Sequence, residues 1–121
     1  MENSNNKPVY DLEERTYTFA KNVRQEMKSI KKEFYNEDDI KQIIRSSGSV
    51  GANYIEANES FSKKDFNHRI KICRKESKES AYWLRLINDS TYDNENKNLK
   101  SLYQEAIELK KIFSSIIGKS K

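Results

Sequence analysis

Lys64, His68, Lys71, Lys75, Lys78 and Arg85 recur at intervals of three, four and seven residues. At about 100° of rotation per residue they fall on one narrow stripe of a single helix. Lys63 and Arg74 lie to one side, Glu79 is close to its edge, and no carboxylate is expected within it. Such a row of cations follows a phosphate backbone electrostatically, giving salt-dependent binding that is largely blind to base sequence. The bland alternative is a solvated outer face, the commoner use of charge on bundle helices.

Other chemistry is poorly supplied. His68 is the only histidine. Asp65 and His68 have the spacing of half a di-metal bundle site, but such a site needs a second pair and further inward glutamates, so no metal is expected. Cys73 falls on the apolar side of the same helix and His68 on the opposite one, which rules out a nucleophile–base pair. Cys73 reads instead as a small buried hydrophobe. Glu76 and Glu79 are expected to form ion pairs with Lys75 and Arg69, or with a neighbouring chain. Gly48 and Gly51 carry no phosphate-loop signature. The expectation is a protein without catalytic residues or cofactors.

Four apolar stripes surround these residues. The first joins Leu12, Phe19, Val23, Met27, Ile30 and Phe34, predicting a helix from about Tyr10 to Phe34. Asn36 reads as the next N-cap, ahead of Glu37, Asp38 and Asp39. Ile40, Ile43, Ile44, Ser47, Val50, Gly51 and Tyr54 trace the second stripe. Its glycines each cost about 1 kcal/mol in a helix interior. With Ser47 and Ala52 they form small-xxx-small pairs, so a neighbouring helix is expected unusually near. Ser62 is expected to cap the third helix, with Phe66, Ile70, Cys73, Ser77, Ser80, Leu84 and Ile87 inward. An Asn- and Asp-rich linker, residues 91–98, leads to the fourth stripe: Leu99, Leu102, Tyr103, Ala106, Leu109, Phe113, Ile116 and Ile117, with Gly118 as a C-cap. Ile72, Trp83 and Leu86 form a second apolar strip on the third helix. A bundle buries one stripe per helix, so this strip, with Tyr82 beside Trp83, is expected to mediate self-association. The competing reading is that Trp83 covers the edge of its own bundle.

The bulk properties agree. The chain has 121 residues, 35% of them charged, with a net charge of +4, three glycines and one proline. Mean hydropathy is -1.02 and the pI about 9.1. That length forms one domain with a real core. A single cysteine ties nothing to an oxidising compartment. No apolar run approaches a membrane span, and Met1 to Lys7 lacks the apolar stretch of a signal peptide, so the expected location is cytoplasmic, without membrane contact. The architecture predicted is all-α: a flexible tail over 1–9, then an antiparallel up-down-up-down four-helix bundle over 10–118.

Two blocks carry a resemblance. One is the run from Gln42 to Ala57, containing Ser49-Val50-Gly51-Ala52-Asn53-Tyr54. The other runs from Ser62 to Ile70 and on through Lys75-Glu76-Ser77-Lys78-Glu79-Ser80 to Tyr82-Trp83-Leu84. Together they resemble the four-helix-bundle proteins encoded in intervening sequences of bacterial 23S rRNA genes, the S23 family. The resemblance implies a ring-like homopentamer. It extends to the accessory variability determinant of diversity-generating retroelements, a basic pentamer that binds a reverse transcriptase and nucleic acid. It also implies that Arg45, Asn53, Glu56, Glu76 and Glu79 are the motif's polar positions, expected as a hydrogen-bonded network where helices two and three meet each other or a neighbouring subunit. The function expected is a non-enzymatic homo-oligomeric module contacting RNA or DNA. The alternative is a scaffold that recruits an acidic partner protein without nucleic acid.

Overall fold

A computed structural model of the chain describes residues 11–91 and 96–119. The expected tail over 1–9 lies outside these residues, as does the middle of the linker before the fourth helix. Among the described residues there are four helices and no strand: α1 (Leu12–Ser29), α2 (Glu37–Asn58), α3 (Lys63–Ser90) and α4 (Lys97–Lys119). None of the four is long and apolar enough to cross a membrane.

Short polar side chains start three of them. Asp11 accepts a hydrogen bond from the Glu14 amide at 3.1 Å, and Ser62 accepts one from the Asp65 amide at 3.0 Å. Asn96 does the same for α4, its Oδ1 accepting from the Leu99 amide at 3.0 Å. Each cap satisfies an otherwise orphaned amide and stabilises its helix by about 1 kcal/mol.

The α1–α2 connection departs from expectation. α1 stops at Ser29, five residues short of Phe34, and Ile30 turns to extended geometry. Asn36 stands at the N-cap position of α2 but makes no side-chain cap. It bonds backward, its Oδ1 accepting from the Glu33 amide at 2.8 Å and its Nδ2 donating to the Lys31 carbonyl at 3.0 Å. These bonds satisfy the loop's polar groups around a side chain only 3% exposed. Phe34 is carried out of the core to 93% exposure, edge-on to Tyr35.

All four helices feed one core. Phe19 and Val23, Ile43 and Val50, Ile70 and Leu84, Leu109 and Phe113 are among its fully buried side chains, two from each helix in turn. α1 and α3 each lie alongside α2 and α4, and across the diagonal the rings of Tyr54 on α2 and Phe113 on α4 meet in the core with centroids 5.9 Å apart. Contacting residues rise on one helix as they fall on the next: Ser46 with Ser80, Val50 with Cys73, Asn53 with Arg69. Glu13 meets Asn58, and Arg24 meets Ser47.

The glycines of α2 face α1. A Cβ on Gly51 would lie 2.9 Å from the Thr16 hydroxyl oxygen, and one on Gly48 would lie 3.1 Å from an Arg24 guanidinium nitrogen. The close approach expected from the small residues is therefore made to α1. Gly118 does not cap α4: the helix continues through it to Lys119, without the left-handed backbone that a glycine cap uses.

Candidate nucleic-acid interface

α3 is gripped by α2 on one side and α4 on the other, which leaves a single outer face. Lys64, His68, Lys71, Lys75, Lys78 and Arg85 are all exposed on it. Lys63 is also exposed and Arg74 is half-buried.

The middle of the face stays positive because the two glutamates of α3 are drawn to α2. Glu76 is 7% exposed and turns to α2, where Arg45 donates to its two carboxylate oxygens at 3.2 and 3.4 Å. The same guanidinium donates to Glu79 at 3.0 Å. Its hydrogen bond to Glu76 is the main reason that Arg45 is held above its ordinary pKa. The expected pairing of these glutamates with Lys75 and Arg69 is thus replaced by a cross-helix one. Arg69 instead donates to Asn53 Oδ1 at 2.9 Å, and Asn53 donates to the Ser49 carbonyl and hydroxyl. The polar positions form two separate clusters on the α2–α3 seam, Arg45–Glu76–Glu79 and Ser49–Asn53–Arg69. Glu56 is exposed and its side chain joins neither.

Lys64, His68, Lys71, Lys75 and Lys78 consequently have no ion-pair partner among the described residues. Arg85 differs. Asp89, four residues on, lies within the stripe that was expected to be free of carboxylates and approaches Arg85 at 3.9 Å. Both side chains are well exposed, so that pair is weak.

The seam beneath this face is polar as well as apolar. The Ser46 and Ser80 hydroxyls share a hydrogen bond at 2.8 Å, both fully buried, and Ser77 donates to the Cys73 carbonyl. Ser46 escapes a one-helix reading because only the pairing of α2 with α3 puts a partner over it. Ile72, Trp83 and Leu86 are half-buried, and Trp83 packs on the core of its own bundle.

Cys73 is buried against the Val50 carbonyl, to which its thiol donates at 3.4 Å, while His68 is exposed on the other side of α3. Burial pushes the thiol pKa from 9.0 up to about 12. The unfolded thiol then ionises at lower pH than the folded one, so stability falls as pH rises through that interval and is unaffected below it. The full shift corresponds to at most about 4 kcal/mol. Urea denaturation from pH 8 upward should show wild type losing stability faster than Cys73→Ala; parallel curves would contradict this burial.

Known proteins can be set beside this geometry. A family model described as 23S rRNA-intervening sequence protein matches residues 10–115. The chain is also similar to a crystal structure of a protein of unknown function from the S23 ribosomal protein family of Bacteroides thetaiotaomicron VPI-5482. The two are 32% identical with a TM-score of 0.76, over 87% of this chain and 96% of that one. Among curated proteins none matches.

Proposed function

The chain belongs to the 23S rRNA-intervening sequence protein family, and from that premise we propose a non-enzymatic, homo-oligomeric binding module that contacts RNA or DNA through the outer face of α3. The observation that supports this is the segregation of charge. Like charges three and four residues apart destabilise a helix by about 0.2–0.5 kcal/mol per pair. Lys71, Lys75 and Lys78 stand at that spacing, yet the glutamates of the same helix neutralise Arg45 of α2 instead. A merely solvated face gains nothing from that distribution, whereas a polyanion supplies the missing counter-charges.

The descending order of partners on neighbouring helices supports an up-down-up-down antiparallel bundle. In this reading the protein is cytoplasmic, and the subunits close into a ring-like homopentamer. Ile72 and Leu86, half-buried in one chain, are then covered at the contact between subunits. Light scattering at micromolar concentration should report the pentamer; a monomer would contradict the assembly.

Binding to generic RNA and DNA over a salt series tests the function. Log K should fall linearly with log salt, with a slope of about -3 to -5 for the cations available on this face. Micromolar or weaker binding without a salt slope would overturn it. Capture of an acidic protein that survives nuclease treatment would then favour a scaffold role.

A further inference from the structure

Two large aromatic side chains near this face are left out of the core. Tyr82 is 59% exposed and Phe61 wholly exposed. Tyr82 follows Lys71 by eleven residues and Lys75 by seven, which puts it within about 20° of both on the basic stripe. Its ring is braced by Trp83, which packs on the core and meets it edge-to-face with centroids 4.9 Å apart. Phe61 stands in the bend just before the capping Ser62, next to Lys63 and Lys64. From Lys63 to Tyr82 the helix rises about 29 Å. An aromatic ring therefore flanks each end of the unpaired row Lys64, His68, Lys71, Lys75 and Lys78.

Resting on the reading of this face as a nucleic-acid contact, we infer that it takes single-stranded rather than duplex nucleic acid. Bases stack on Tyr82 and Phe61, and Lys71, Lys75 and Lys78 hold the phosphates between. Isolated exposed aromatics are ordinary; an aromatic set within an uncompensated cationic row combines the two elements of single-strand recognition, a charged track and a stacking platform. A duplex fits this surface poorly for two reasons. Its bases are stacked on each other and present no free face to a ring outside the grooves. α3 is also flanked by α2 and α4, so it is not free to enter a major groove about 12 Å wide, which just admits a projecting helix. A single strand follows a straight row and turns its bases outward. Stacking tolerates any base, so the recognition is sequence-blind.

The test is fluorescence anisotropy with a labelled oligouridylate and a labelled RNA duplex of equal phosphate number. The oligouridylate should bind at least about tenfold more tightly, and Tyr82→Ala should weaken it about tenfold, while leaving duplex affinity unchanged. Tyr82→Phe should keep wild-type affinity, and Phe61→Ala should behave like Tyr82→Ala. Trp83, the chain's only tryptophan, should change emission when the single strand binds. Equal affinity for the duplex, or an unchanged single-strand affinity in both alanine variants, would overturn the inference while leaving the basic face standing. Failure of both probes to bind would overturn the face itself.

Discussion

A variant carrying Lys71→Glu, Lys75→Glu and Lys78→Glu is expected to lose RNA and DNA binding by on the order of a hundredfold or more, with its helical circular dichroism intact. Each cation that leaves a phosphate forfeits the release of condensed counterions, so the salt slope should shrink by about one per lysine, and each new carboxylate adds repulsion. The fold should tolerate the change because all three side chains are exposed and have no ion-pair partner among the described residues, and such surface substitutions usually move stability by no more than about 0.5 kcal/mol. Reversing Lys21, Lys41 and Lys111, exposed on the other three helices, makes the same change in net charge. That control should retain most of the affinity. Equal loss in both variants would mean that overall charge governs binding and α3 holds no special position.

Gly51→Leu is expected to destabilise the bundle by about 3 kcal/mol or more, and Gly51→Ala by about 1–2 kcal/mol. An alanine gains about 1 kcal/mol of helix propensity, so the sign depends on whether its Cβ can be accommodated. Its nearest neighbour would be the Thr16 hydroxyl at 2.9 Å, with the Thr16 Cβ at 3.3 Å. Thr16 is 1% exposed, β-branched, and tied to the Leu12 carbonyl at 3.0 Å, so it does not swing aside and α1 must move. Thr16→Ala removes the closest atom, so the double variant should be less destabilised than the sum of the two single ones. Gly48→Ala is the contrast. Its Cβ would meet only the guanidinium of the exposed Arg24, at 3.1 Å; the end of a long side chain can give by a few tenths of an ångström while keeping its bond to the Ile44 carbonyl, so the change should be neutral or mildly stabilising. Urea denaturation with an unchanged m-value measures all five; a stabilised Gly51→Ala would show that the seam is looser than the Thr16 contact implies.

The residues that were legible in the sequence are those whose partners are local. Apolar spacing identified the inward faces of all four helices, and Ser62 was readable as a cap because its acceptor role depends only on the amide three residues on. The outward direction of Lys71, Lys75 and Lys78 followed from the same periodicity. What escaped depends on register between helices or on the chain leaving helical geometry. Met27, Ile30 and Phe34 keep helical intervals, so spacing carried α1 past Ser29; the terminator is the backward bonding of Asn36, which a cap pattern does not distinguish from a forward one. Spacing alone offered Glu76 same-helix partners or a neighbouring chain; the resemblance set it with Arg45, 31 positions earlier, and that pair forms where α2 lies against α3. Asp89 was missed at the last turn of an otherwise cationic row. The family resemblance singled out Arg45, Asn53, Glu76 and Glu79, and the geometry divides them into two clusters that fix the seam beneath the basic face.

Lysine acylation footprinting of the protein with and without bound RNA, read by mass spectrometry, tests the central claim most directly. Lys64, Lys71, Lys75 and Lys78 should be protected by RNA, while Lys21, Lys28, Lys41 and Lys111 keep their reactivity. Protection of the second group with the first left reactive would place the contact on other helices and contradict the account.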